Sequence, residues 1–299
     1  MNMKKYSIEQ KCKIQKQLDV HGYVIIKNLF DHEDINDCKN DTMIKYNRND
    51  YDKYGGSRIQ DTWKKVDLAG IFAYNPKILQ LLKFIYKKNA LPFQTLYFKR
   101  GSEQPLHTDM IHFNSIPSGN VCVAWIAFEN ITMDNGPVIF YPGSHKFPFK
   151  EMEDLGFGPG KENYGLYSSY LKNKVKDIEP HYGLLNKGDM MLWDGNLVHG
   201  GSKIRTTSTR YCLLIDYFFT GCKYYTPLLS TRKNIVYRNK NDFIDEKFEE
   251  MAINYKRKNK IIYKGNDIEN IKKELEKVRK ERDELLEWKK KVINLIENE

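Results

Sequence analysis

Three residues at two places in this 299-residue chain could together hold a divalent metal. In Gln104-Pro105-Leu106-His107-Thr108-Asp109 an imidazole and a carboxylate stand two residues apart. Side chains at that spacing on a strand project to one side, so His107 and Asp109 can converge while Thr108 faces away. A His-x-Asp pair arises by chance in most chains this long, and a third donor on the same scaffold is what gives it weight. His199 supplies one. It ends the stretch that begins Met190-Met191-Leu192-Trp193 and directly precedes Gly200-Gly201, where a turn would leave the imidazole free to face a metal. Two histidines and one carboxylate are the donor set of the facial triad of non-haem Fe(II) oxygenases, which keeps positions open for a co-substrate and O2. Further on, Arg210 precedes another apolar run. Its planar guanidinium can grip a carboxylate bidentately and never loses its charge, which suits the distal carboxylate of a dicarboxylate such as 2-oxoglutarate.

Such donors need a rigid scaffold. From Pro92 to about Phe219, short apolar or alternating runs at 93–99, 121–128, 138–141, 190–193 and 211–219 are separated by turn signals such as Asn135-Gly136, Pro142-Gly143 and Lys187-Gly188-Asp189. That punctuation predicts an all-β sandwich or barrel core. Upstream, residues 8–20 read as a helix and 23–26 as a strand. Asp31 stands as an N-cap, with Glu33 and Asp34 in the first turn of the next helix. Residues 46–60 read as a long loop, and 76–87 as an amphipathic helix with Ile78, Leu81, Leu82 and Ile85 on one face. Residues 150–182 are a Gly- and Tyr-rich insertion with little pattern. From Ile268, the apolar positions Ile271, Leu275, Val278, Leu285, Val292 and Ile296 follow 3 and 4 spacing, with Arg282 and Lys289 in the intermediate slots. This heptad seam predicts a long helix that is either a coiled-coil oligomerisation tail or a single amphipathic helix. The chain thus divides into a domain at 1–230, a connecting segment at 231–265 and a helical tail at 266–299.

Composition narrows the partners. The chain has 49 Lys and Arg against 39 Asp and Glu, a net +10, but residues 231–299 hold 19 of the bases and 15 of the acids. The excess is therefore diffuse, unlike a nucleic-acid footprint. The five cysteines, Cys12, Cys38, Cys122, Cys212 and Cys222, contain no C-x-x-C pair, and free thiols in a reducing compartment are the expectation. No apolar run approaches the roughly 20 residues of a membrane helix. The polar first 20 residues also lack a signal-peptide core. A cytoplasmic protein with no membrane span is expected.

His107-x-Asp109, then Asn135-Gly136-Pro137-Val138-Ile139-Phe140-Tyr141-Pro142-Gly143-Ser144-His145-Lys146, then His199 and Arg210 resemble, in order and spacing over about 16–225, the phytanoyl-CoA dioxygenase family of Fe(II)/2-oxoglutarate oxygenases. The resemblance implies that His107, Asp109 and His199 bind iron and that Arg210 binds the C5 carboxylate of 2-oxoglutarate. It implies a mainly β fold, a double-stranded β-helix (jelly roll) with flanking helices. Trp125 falls where the family places an aromatic wall beside the co-substrate, though ordinary core is an equal reading, and Gln94 or Tyr97 could reach the C1 carboxylate. Gln60, Asp61 and Trp63 lie in a stretch expected to close over the site; His112 and Trp193 are candidates for lining the substrate side. The implied reaction is hydroxylation with O2, releasing succinate and CO2. Segment 156–170, with Tyr164, Tyr167 and Tyr170, reads equally as a lid that stacks on a sugar or flat ligand and as a structural insertion. With the run Tyr224-Tyr225-Thr226-Pro227-Leu228 the chain resembles bacterial proteins associated with surface-polysaccharide or small-molecule modification, which implies a small-molecule, tethered or glycan-related substrate. The alternative on the same scaffold is a non-oxidative cupin-like metal enzyme, or a degenerate binding module.

Overall fold

The structure, a computed structural model, describes residues 6–46, 58–239 and 243–261, together with the helical positions Glu276, Lys280, Asp283, Glu284 and Glu287. The heptad seam from Ile268 lies outside the described residues.

Helix α1 (Ile8–His21) begins at Ser7, whose hydroxyl accepts from the Gln10 backbone N–H while the Gln10 side chain accepts from that of Ser7. This reciprocal box satisfies two amide donors that the helix itself cannot. The helix ends at Gly22, φ 80°, in the left-handed region that glycine enters at little cost. The chain then runs into β1 (Tyr23–Ile26) and α2 (His32–Lys45). Asp31 does occupy the N-cap of α2, but its side chain makes no capping bond; Glu33 and Asp34 lie in the first turn as expected. The end of the expected 46–60 loop is instead a strand, β2 (Arg58–Gln60), followed by an unforeseen short helix, α3 (Asp67–Ala73). Asn75 caps the amphipathic α4 (Pro76–Tyr86), with Pro76 in the first turn.

The β region comprises β3 (Ala90–Phe98), β4 (Asn114–Ile116), β5 (Val121–Ala127) and β6 (Val138–Phe140). Within the 150–182 insertion lies a helix, α5 (Tyr164–Lys174), which the Gly- and Tyr-rich composition concealed. Strands β7 (His181–Tyr182), β8 (Met190–Asp194), β9 (His199–Gly201), β10 (Cys212–Phe219) and β11 (Lys223–Tyr225) follow, and then α6 (Lys247–Ile261). A six-stranded sheet has the order β1-β8-β5-β10-β3-β2; a three-stranded sheet has the order β7-β6-β9, and β11 pairs with β4. Among the described residues every strand pair is antiparallel. This mainly antiparallel architecture with helices is consistent with a jelly roll.

The large sheet separates two environments. On one face the Tyr217 hydroxyl donates to the Ala73 carbonyl of α3, and Tyr97 packs with Phe128 and Tyr211. On the other, Trp193, Val123, Asp216 and Gln94 form one row across β8, β5, β10 and β3. Directly paired residues share a face, so this row looks into the interior with Trp125 and Phe98. One compact unit spans Lys4–Ala252, and the remainder of the chain forms another. The connecting segment accordingly packs on the β unit as far as Ala252: Ile244 and Phe248 are buried, and the Ile244 carbonyl accepts from Tyr74.

Candidate metal centre

His107 and His199 face each other across an isolated antiparallel bridge. Each backbone N–H donates to the other's carbonyl, at 2.8 and 2.9 Å, and the rings stand 4.2 Å apart, centroid to centroid. The glycine pair makes this possible, though not by the expected turn. Gly200 and Gly201 are strand residues, and a Cβ on Gly201 would lie 2.6 Å from the backbone nitrogen of Glu103. Only bare backbone lets the 103–107 segment lie so close to β9.

The strand argument for Asp109 needs a similar correction. The chain does not continue extended after His107; Asp109 opens a 3-10 turn, Asp109–Ile111, and that turn swings the carboxylate beneath the histidines. Its Oδ1 is 3.9 Å from Nε2 of His107 and 3.7 Å from Nε2 of His199. Donor atoms of all three residues lie within 4.8 Å of one another, and all three residues are buried. Thr108 does point away, to the Tyr167 hydroxyl at 3.0 Å.

Both imidazoles are prepared for a metal. Nδ1 of His107 is 2.8 Å from the Pro105 carbonyl, and Nδ1 of His199 is 2.9 Å from the Leu197 carbonyl. A carbonyl only accepts, so each Nδ1 carries the proton and each Nε2 presents its lone pair. Burial holds the His107 imidazole well below its ordinary range, with the neighbouring His199 and His112 rings adding to the effect. Burial pushes the Asp109 carboxyl up, while His199 and the hydrogen bond from Trp193 oppose it. A divalent cation resolves both tensions, since it needs neutral imidazoles and an ionised carboxylate. The donor set therefore fits a metal, and three protein ligands would leave it coordination positions for a co-substrate and O2.

The remaining sequence candidates fall into distinct groups. Trp193 faces the ligands: its indole N–H donates to Oδ2 of Asp109 at 2.8 Å, and its ring is tilted against that of His199 with centroids 5.3 Å apart. Arg210 is buried, its guanidinium 5.4 Å from the rings of both Phe98 and Trp125. Nη1 donates to the Gly136 carbonyl at 2.8 Å, while Nε is buried without a partner. A buried guanidinium with unspent donors is what a ligand carboxylate requires. Trp125 lies in the core and packs beside Arg210. Gln94 lies on the interior face, opposite Asp216. Tyr97 has the opposite parity and packs among Phe128 and Tyr211, which removes it as a contact for the C1 carboxylate. Gln60 pairs with Leu96 at the sheet edge, and Asp61 turns to Lys64.

His112 is closer to the centre than its strand parity implied, because the strand does not continue; its ring is 5.6 Å from that of His107. Burial lowers the His112 imidazole to about 4, with Arg58 contributing. Sequence reasoning gives Gln104 no role and reads Tyr164 only as part of a stacking lid or a structural insertion. Gln104 Nε2 is 3.3 Å from Nε2 of His107, and Tyr164 of α5 accepts from Gln104 at 3.1 Å. Gln104 stands in the same short motif as the ligands, so proximity was its available signal. Tyr164 was legible only as one of the tyrosines of the 156–170 segment, with nothing to show that it reaches the histidines.

Fold and donor set together define an iron(II)- and 2-oxoglutarate-dependent dioxygenase. The profile of the phytanoyl-CoA dioxygenase (PhyH) family matches residues 18–212, and the chain belongs to that family. Among curated relatives, the peroxisomal phytanoyl-CoA dioxygenase of Rattus norvegicus is 26% identical over 259 residues, 77% of this chain and 73% of that protein. The human enzyme is 25% identical over 249 residues, 74% of this chain and 72% of that protein. Among solved structures, the epimerase SnoN in complex with Fe3+, alpha ketoglutarate and nogalamycin RO superposes with a TM-score of 0.60 at 15% identity, covering 79% of this chain and 98% of that one. EctD from S. alaskensis with 2-oxoglutarate and 5-hydroxyectoine gives 0.57 at 17% identity, covering 78% and 83%. These two structures are alike in fold. Among the described residues no helix is long and apolar enough to cross a membrane.

Proposed function

We propose that His107, Asp109 and His199 hold Fe(II), that Arg210 holds the distal carboxylate of 2-oxoglutarate, and that the chain hydroxylates a small-molecule or glycan-related substrate. The observation that supports this most strongly is the pair of histidines with Nδ1 protons committed to carbonyls and Nε2 atoms gathered with Oδ1 of Asp109. When bound, iron and 2-oxoglutarate supply the oxidising power: 2-oxoglutarate and O2 give succinate and CO2, and the second oxygen atom goes to the substrate C–H.

The protein's own part is placement. Trp193 orients Asp109 and favours its ionised form, against the push of burial, by donating to Oδ2, which leaves Oδ1 for the metal. Arg210 fixes the far end of the co-substrate from a dry bed of Phe98 and Trp125, where a charge-assisted pair is strongest. Gln94 on the interior face is available to the near carboxylate. The carboxylate at Asp109 fills the position that a halide would need, which favours hydroxylation over halogenation. The tail from 266 is proposed as a self-association element. Replacing Asp109 or His199 by Ala abolishes succinate formation with Fe(II), 2-oxoglutarate and O2 on this reading, and near-parental turnover in either variant contradicts it.

A further inference from the structure

Helix α5 brings a second layer of polar groups to the metal centre. The Tyr164 hydroxyl is 3.1 Å from Gln104 Nε2 and 3.2 Å from His112 Nε2. Its ring centroid is 5.3 Å from that of His112 and 6.2 Å from that of His107. The Gln104 amide in turn lies 3.3 Å from Nε2 of His107, the atom that would coordinate a metal. A metal bound there takes that lone pair, and the amide must then turn elsewhere; Tyr164 and His112 remain beside it. All three side chains are only partly buried, so they line a surface that a ligand can reach. The helix is held in place independently: the Tyr167 hydroxyl meets Thr108, between the ligands His107 and Asp109, and Tyr167 and Leu171 are buried against Ile111, Met152 and Val198.

We propose that Tyr164 is a substrate-contacting residue of the dioxygenase site, and that with His112 and Gln104 it hydrogen-bonds a hydroxyl or carbonyl oxygen of the substrate held against the open side of the metal. The insertion at 150–182 is then the specificity-determining element of this chain, and its substrate carries a polar group next to the oxidised carbon. The three groups bond one another but keep further donor and acceptor capacity that water satisfies; a bare alkyl chain would displace that water and offer nothing in return, which such a site disfavours. The inference rests on the Fe(II)/2-oxoglutarate reading above.

Nitric oxide, a small acceptor that binds Fe(II) in place of O2, is the probe. The full chain is loaded anaerobically with Fe(II) and 2-oxoglutarate and then with nitric oxide. Electron-nuclear double resonance in H2O and D2O counts the exchangeable protons coupled to the paramagnetic centre. The parent chain is expected to show a coupling that is lost in Tyr164→Phe and retained in Tyr170→Phe, a variant on the same helix. The absorption of the Fe(II)·2-oxoglutarate complex before nitric oxide is added stays unchanged in all three. Loss of that absorption in the parent overturns the dioxygenase reading itself. Its presence together with identical proton couplings in the parent, Tyr164→Phe and Tyr164→Ala overturns the role of Tyr164 alone.

Discussion

Trp193→Phe isolates one hydrogen bond in the metal centre. The substitution keeps an aromatic ring in a fully buried position but removes the N–H that donates to Oδ2 of Asp109 at 2.8 Å. A hydrogen bond to an ionised partner contributes about 1.5–3 kcal/mol, and groups that orient a metal ligand typically alter affinity by about 10- to 100-fold. The variant should therefore bind Mn(II), a redox-stable stand-in for Fe(II), about 10- to 100-fold more weakly by isothermal titration. The same bond opposes the upward push that burial exerts on the Asp109 carboxyl. Without it the carboxyl is protonated at higher pH, so the fall in metal affinity on acidification should move to higher pH in the variant. Truncating the ring also loosens packing against Trp125, 6.5 Å away; thermal unfolding of the metal-free protein reports that cost separately. Parental Mn(II) affinity, with the acid limb unmoved, would refute the claim that Trp193 prepares Asp109.

Three other expectations follow from the same geometry. Arg210→Ala removes a charge-assisted pair of about 1.5–3 kcal/mol, so 2-oxoglutarate should titrate at least about 10-fold more weakly while Mn(II) binds as in the parent; an unchanged titration assigns the carboxylate to another residue. Asp216 has both carboxylate oxygens buried without a hydrogen-bond partner, and burial, with Asp109 nearby, pushes its carboxyl well up. An acid raised on folding costs stability once pH exceeds its unfolded value of about 3.9. Asp216→Asn should stabilise the metal-free protein at neutral pH by about 1–3 kcal/mol and not below about pH 4, and denaturant unfolding at the two pH values checks this. A chain ending at Gly265 should sediment as a smaller assembly than the full chain if the tail self-associates, and an unchanged assembly state counts against it.

The chemistry of the site was more legible than its geometry. His107, Asp109, His199 and Arg210 could be picked out because few residue types bind metals or carboxylates, and their order along the chain is specific. The path between them was not legible. Strand parity put Asp109 beside His107, whereas the structure does it with a 3-10 turn, and the same break brings His112 inward. Gly200-Gly201 read as a turn because glycine usually serves conformation; here it serves close approach, which depends on residues 103–104, far away in sequence. Tyr97 failed by parity alone, since a strand residue one step from the interior face looks at the helices. The α5 helix had little apolar stripe to announce it, because its buried positions are only Tyr167 and Leu171. The large-sheet strands, with their β-branched and aromatic runs between Gly and Pro turns, were found within a few residues; β2, in polar sequence, was not.

The central claim is that one side of this β scaffold holds Fe(II) and 2-oxoglutarate together through His107, Asp109, His199 and Arg210. Anaerobic mixing of the protein with Fe(II) and 2-oxoglutarate tests it directly, because chelation of ferrous iron by a 2-oxo acid produces a visible metal-to-ligand charge-transfer band. The parent chain should develop the band with one iron per chain, His199→Ala should not, and Arg210→Ala should need more 2-oxoglutarate to reach it. No band in the parent, or an undiminished one in His199→Ala, would contradict the account.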